Sequence, residues 1–459
     1  NFWAKKAAFL STKTLGICEK NTLAGLVKFQ IACEDYKIKP VFGATYTIYR
    51  DHLDLKYDIK TFVQTEEGYL NLLKINTQVN CTNHGYVTES FFLDHLDGLF
   101  VVIDPKSLEY EHLFPLDTHG IIYYQLDTVR FEKDDEHQEY LDNLKHFVYD
   151  QRLEPVALTD SYYLNKSDSY IKDKVNHISS VFERRATNQY FKSSQQYQKE
   201  IEKLFKDPDL GFEKYNRAVY NENFIAASCD YKFDFNTRHL PEYQMTNKEQ
   251  KKYKNNEELF WEIIKSGFKT KVKSKHKVYL DRLKYEFKVI NDGGILDYFL
   301  ILWDIVNYCT ERHILTGVGR GSAGGSLIAY LLDIVKVDPI KHGLYFERFI
   351  NPGRIKVSLP DIDIDFPSQY RDQVKHYIEE RYGIEYCCSV GTYSNLKLKS
   401  LLKDLARQKI IPAASMDFIT SKLDNEESSF TSLIRDGVTK EVIKEFIHKH
   451  GDIIDAVPL

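Results

Sequence analysis

No run of about 18 apolar residues occurs in the 459-residue chain, so no transmembrane helix is expected. No secretory signal peptide is visible either. The seven cysteines, Cys18, Cys33, Cys81, Cys229, Cys309, Cys387 and Cys388, include no CxxC pair and are odd in number. That spacing speaks against a disulfide framework and a zinc site, and for a reducing cytoplasm. Internal repeats and low-complexity tracts are lacking too. There is no excess of positive charge: the net charge is -5, which leaves nucleic-acid binding open without arguing for it.

A hydrophobic content of 43% with 28% charged residues describes a globular protein. The length exceeds one ordinary core, so two or three domains are expected. The chain begins at Asn1 rather than Met and stops at Ala456-Val457-Pro458-Leu459, and is expected to be a piece of a longer protein.

Residues 1–235 alternate helical and strand patterns. Leu23 to Tyr36 has helical spacing, while 44–49, 99–103, 120–124 and 155–160 are short apolar or β-branched runs of strand length. This predicts an α/β domain. A polar stretch from Asn236 to Asn256 reads as a linker or domain edge. Lys269 to Lys288 reads as a basic helical segment, with Lys269, Lys271, Lys273, Lys275 and Lys277 as a solvated patch, and Tyr298 to Tyr308 as an apolar helix.

Two segments carry chemistry. The first is Gly317-Val318-Gly319-Arg320-Gly321-Ser322-Ala323-Gly324-Gly325-Ser326, followed by an apolar run at helical spacing to Val335. Glycines that open a helix let backbone N–H groups reach an anion such as a triphosphate, and Arg320 and Ser322 add donors. Close helix–strand packing is the other reading of such a turn. The Walker lysine is absent, which argues against a P-loop ATPase.

The second segment is Pro360-Asp361-Ile362-Asp363-Ile364-Asp365-Phe366-Pro367. Strict alternation puts Asp361, Asp363 and Asp365 on one face of a predicted strand. Facing carboxylates repel unless a cation lies among them, and Mg²⁺ is the hard ion such oxygens suit. A solvated acidic edge strand is the bland alternative. Between the segments, Arg348 and Arg354 are candidate phosphate contacts or salt-bridge partners. Lys399, Lys403 and Arg407 recur every four residues opposite Leu398, Leu401, Leu402 and Leu405, giving a basic stripe suited to a phosphate backbone or to solvent.

Residues 317–366, with GVGRGSAGGSLIAYLL, FERFINPGR and LPDIDIDF, resemble the palm of the bacterial family C DNA polymerases, the α subunits of DNA polymerase III. The resemblance extends over nearly the whole chain. It implies a PHP-like, distorted α/β barrel domain (1–235), a polymerase beta-like nucleotidyltransferase palm of α+β type (236–390) and the start of a helical thumb (391–459). It further implies that Asp361 and Asp363 bind two catalytic Mg²⁺ ions, with Asp365 as a third acidic position. Arg320, Gly321, Ser322, Arg348 and Arg354 would hold the triphosphate, and Lys399, Lys403 and Arg407 the DNA. Primer-template DNA, dNTPs, a sliding clamp and other replisome subunits are the implied partners, in the cytoplasm and without a membrane. The family's third catalytic aspartate follows the thumb, so these residues alone are expected to be inactive or nearly so.

In the PHP region the family's metal-ligand positions read Lys20, Thr45 and Tyr162, which predicts a domain without metal or phosphoesterase activity. Asp134-Asp135-Glu136 has the spacing of an exonuclease motif but lies in a polar run. A non-catalytic DNA-binding or assembly subunit on a degraded polymerase scaffold is the alternative from another class.

Overall fold

The computed structural model describes residues 1–113, 122–178, 185–205, 207–237, 239–273, 276–353, 360–392 and 397–408, together with Asp417 and Ser421. The chain divides into two compact units, Asn1–Asp234 with Ser394–Leu459, and Phe235–Tyr393.

The first unit is built on strands β1 (Thr14–Lys20), β2 (Lys39–Arg50), β3 (Leu55–Val63), β4 (Val87–Thr88), β5 (Leu99–Ile103), β6 (Ile122–Leu126), β7 (Arg130–Phe131), β8 (Leu153–Ala157) and β9 (Ala186–Thr187). Seven of them form one mixed sheet in the order β1-β2-β3-β5-β6-β8, with β4 against β2, while β7 and β9 make a separate ribbon. β5, β6 and β8 run parallel, as an α/β domain requires, and β3 is antiparallel to both β2 and β5. The α/β expectation is met.

Alternation along the strands loads both faces. Tyr46, Ile48, Tyr57, Ile59, Ile103 and Tyr124 bury into one core with Leu72, Ile75, Leu144 and Phe147 from helices Glu66–Thr77 and Asp134–Tyr149. Val41, Phe62, Val102 and Val156 form a second core with Ile225 of helix Pro208–Ser228 and Cys229 just beyond it. The exonuclease-like Asp134, Asp135 and Glu136 occupy the first turn of their helix, where acidic side chains complement the helix dipole.

The second unit is helical among its described residues, with Asn256–Lys271, His276–Asp292, Leu296–Glu311 and Arg371–Tyr382 as its long helices. Phe260, Leu283, Phe299, Leu327, Phe346 and Ile362 meet in its core. The basic segment 269–288 is two helices rather than one. The polar stretch 236–256 is more than a linker, because Tyr243 is buried in this core and donates to Glu249, whose carboxylate closes a capping box with Thr246.

Helix Leu398–Gln408 falls in the first unit, where it packs with helix Ser169–Ile178. Its basic positions are partly paired, Lys403 with Asp417 at 3.2 Å and Arg407 with Asp404 at 2.6 Å, while Leu402 and Ala406 are buried.

Gly68 lies so close to the neighbouring loop that an added Cβ would sit 1.9 Å from the Gly98 carbonyl oxygen, whereas at Gly16 the nearest atom is 3.8 Å away. Gly68→Ala should therefore destabilise the first unit by about 1–3 kcal/mol, with Gly16→Ala near neutral, in urea unfolding read by hydrogen exchange of β3 and β5.

Candidate functional site

The glycine turn and the aspartate segment lie against each other in the second unit. Gly317 N–H donates to the Asp365 carbonyl at 2.9 Å, and Arg320 forms an isolated antiparallel bridge with Asp363. The Arg320 guanidinium spans two carboxylates, reaching Asp363 Oδ1 and Asp365 Oδ1 at 3.1 Å each. Gly321 has φ +71°, and a Cβ there would meet Asp363 Oδ2 at 3.1 Å, so both its conformation and its neighbour call for glycine. At Gly325 a Cβ would stand 2.5 Å from the Tyr345 carbonyl oxygen.

The alternation read in the sequence is present: Ile362 is buried, Ile364 packs on the same core, and Asp361 and Asp365 are exposed. Among the described residues the predicted strand is not, for only Asp363 is bridged. Proline at both ends removes ladder donors, and aspartates are poor strand formers. Among the described residues the three carboxylates do not gather as one metal cluster. The one group of three metal-type donors among the described residues lying within 4.8 Å of one another is Glu109, Glu111 and His112, in a turn where both glutamates are exposed. Asp363 and Asp365 have Arg320 as their cation instead. Their oxygens remain the hard donors that a divalent ion such as Mg²⁺ takes.

The expectation of a long helix after the glycines is corrected. Ser322–Gly325 is a 3₁₀ turn and Leu327–Leu331 only five residues of α-helix. The amides at the start of that helix are already engaged. Fully buried Glu286, on helix His276–Asp292, accepts from Leu327 N–H at 2.9 Å, Ile328 N–H at 3.0 Å and Ser326 Oγ at 2.9 Å. Burial raises its pKa against the opposing pull of these donors and of Arg282, whose Nε lies 2.6 Å from Oε1. Ser322 is exposed, and so is Arg348 in the 3₁₀ turn Phe346–Arg348, which buried Phe346 anchors. Arg354 lies outside the described residues. Tyr298, on helix Leu296–Glu311, was not singled out among the site residues. Its hydroxyl meets the Ile362 backbone and feels the Asp361 and Asp363 charges, although burial is the main cause of its raised pKa.

The first unit holds a second polar centre that the sequence reading missed. Asp104, Asp127 and Asp160 follow the C-terminal ends of parallel strands β5, β6 and β8, the end where α/β sheets gather functional groups. Lys106 Nζ reaches Asp104 at 3.0 Å, Asp127 at 2.9 Å and Asp160 at 3.1 Å. Lys60 Nζ, from the middle of β3, reaches Asp104 at 2.9 Å and Asp160 at 3.3 Å. Burial works against charge on both lysines, but Asp104 and Asp160 more than offset it and raise their pKa values. Burial likewise opposes the Asp104 and Asp160 carboxylates, while Lys106 and Lys60 hold them below the usual range. Burial prevails at Asp127, whose pKa is raised. Of the positions the sequence did mark, Lys20 pairs with Asp58 at 2.7 Å, Thr45 Oγ1 meets Cys18 Sγ at 3.3 Å, and Tyr162 is half exposed beneath Lys172.

The first unit is thus a helix-covered mixed sheet with polar groups at its strand ends, and the second a helical unit with a glycine turn against an aspartate segment. Residues 3–154 match the PHP domain family, and residues 257–457 match the Bacterial DNA polymerase III alpha NTPase domain. The chain is 27% identical to DNA polymerase III subunit alpha of Bacillus subtilis over 429 residues, covering 87% of this chain and 36% of that protein. It is 28% identical to the subunit of the same name in Staphylococcus aureus over 443 residues, covering 95% of this chain and 38% of that protein. The chain thus spans little more than a third of the length of these relatives, and its two matched segments follow one another as a PHP domain and a Bacterial DNA polymerase III alpha NTPase domain.

Glu286→Ala strips the start of helix Leu327–Leu331 of its acceptor and leaves Arg282 without its carboxylate; urea unfolding of the second unit should show a loss of about 3–5 kcal/mol. In the first unit, lowered carboxylate pKa values mean stability that is fully present above about pH 4 and fades as pH falls through the lowered values. Asp104→Asn should therefore be less stable than the parent at neutral pH, with the difference shrinking on acidification below about pH 4.

Proposed function

We propose that this chain is the PHP and palm portion of a replicative, template-directed DNA polymerase. The observation that carries the reading is the contact of the glycine turn with the aspartate segment, made by the Arg320–Asp363 bridge. It brings the glycine turn and the acidic side chains together, which supports a reading as a site for nucleotide transfer from a triphosphate. The family matches and the order of the two domains support the same reading.

In this reading the primer 3′-oxygen attacks the α-phosphorus of a dNTP, and pyrophosphate leaves. Asp361 and Asp363 would hold two Mg²⁺ ions, with Asp365 as a further acidic neighbour and Arg320 released from Asp363. Bound there, such ions supply charge stabilisation to the attacking and leaving oxygens. Gly321, Ser322 and Arg320 orient the triphosphate, with Arg348 and Arg354 on the approach. The amides of Leu327 and Ile328 take no part, because Glu286 occupies them. Lys399, Lys403 and Arg407 are assigned to duplex DNA. The palm is assigned to 236–390 and the start of the thumb to 391–459. A sliding clamp and further replisome subunits would engage regions beyond this span, in the cytoplasm, and these 459 residues alone would extend no primer.

The test is Mg²⁺- and template-dependent primer extension by the full-length protein beside its Asp361→Ala, Asp363→Ala double variant. Loss of at least about a thousandfold in rate, with DNA binding retained, is expected. No extension by the folded, DNA-binding parent would leave a non-catalytic DNA-binding or assembly subunit.

A further inference from the structure

The centre at the strand ends of the first unit has a composition that ordinary salt bridges do not. Lys60 and Lys106 each contact both Asp104 and Asp160, and each of those aspartates uses a different oxygen for each lysine. The result is a closed ring, lysine, carboxylate, lysine, carboxylate. The third donor direction of Lys106 goes to Asp127 Oδ2. Asp127 is fixed in turn by Gln125 Nε2 at 3.2 Å and by the Thr128 N–H at 2.7 Å. Lys60, Asp104 and Asp127 are buried, while Lys106 and Asp160 keep a small exposed edge.

Bridging carboxylates around two cations at the C-terminal end of a parallel sheet are a metal-centre arrangement in which both cations belong to side chains. The donor set does not fit a metal as it stands. No histidine takes part, and among the described residues no three of its carboxylates bring donor oxygens within 4.8 Å of one another. Ammonium contacts of 2.9–3.3 Å hold these oxygens farther from the central charge than the ~2.0–2.6 Å of a coordinated ion.

We propose that Lys60 and Lys106 are fixed internal cations that take the place of divalent ions in this centre and exclude them from it. The three carboxylates follow the ends of adjacent strands, and the lysines answer their charge. The inference rests on the first unit alone and stands whether or not the chain polymerises DNA.

The test uses the full-length protein with Asp361→Ala and Asp363→Ala already in place, so that those aspartates contribute no binding. Mn²⁺ is the probe, quantified by electron paramagnetic resonance after equilibrium dialysis. This parent should bind no Mn²⁺ that Asp104→Asn removes. Adding Lys60→Met and Lys106→Met should create about one Mn²⁺ site per chain that Asp104→Asn abolishes, and amide exchange in β5 and β8 should be at least tenfold faster without Mn²⁺ than with it. Asp104-dependent Mn²⁺ binding by the parent, or none by the folded double-lysine variant, would overturn the proposal. If that variant does not fold, Lys106→Met is compared with Lys106→Met, Asp127→Asn. Exchange protection recovered in the pair, which restores the parent's net charge at this centre, supports the proposal, and equal loss in both sinks it.

Discussion

A carboxylate removed from water must have its charge answered where it sits, and both units of this protein are organised around that requirement. In the second unit a single side chain, Glu286, ties three donors at the start of a short helix to Arg282 on its own helix. Arg282 also donates to the Gly325 carbonyl at 2.8 Å, so the same pair fixes the end of the glycine turn. In the first unit the sheet wall closes over Glu89, which answers Arg50 and Tyr57, and its strand ends hold the lysine–aspartate ring. Apolar packing fills the remaining volume, but these groups decide which backbone segments must meet.

The glycine turn shows how one local sequence serves several demands. Its backbone must pass close to Asp363 and to Tyr345, which glycine alone permits at positions 321 and 325. Its arginine returns across the same gap to pair two aspartates that otherwise repel each other. The pair is open to solvent, so its contribution to stability is small, and its value is positional.

Much of this was legible in the sequence. Short apolar and β-branched runs gave β2, β5 and β8, and the DIDIDF alternation gave the buried Ile362 and exposed Asp361 and Asp365. What the pattern could not give was the partner of each polar group. Glu286 looks like one more charged residue in a helical stretch, and its burial depends on a segment forty residues away. The aspartate run looks like a strand, but flanking prolines reduce it to one bridge. The strand-end ring left a trace that was not used: three apolar runs each close on aspartate, at Ile103-Asp104, Leu126-Asp127 and Leu158-Thr159-Asp160. Lys60, on the half of β3 that buries continuously from Ile59 to Val63, was the matching signal, since a buried lysine has to find carboxylates.

The ring also has a consequence for how this domain changes over generations. The two lysines answer three carboxylates, and Lys106 is the one of the two that reaches Asp127, so loss of a lysine leaves buried carboxylate charge unanswered. Neutral drift at these positions has to proceed by paired changes, one lysine with one aspartate. A lineage that has acquired the two lysines is held there as by a ratchet, because a return to another charge arrangement passes through poorly folded intermediates. Lys60, Asp104, Lys106, Asp127 and Asp160 should accordingly be inherited together or exchanged together.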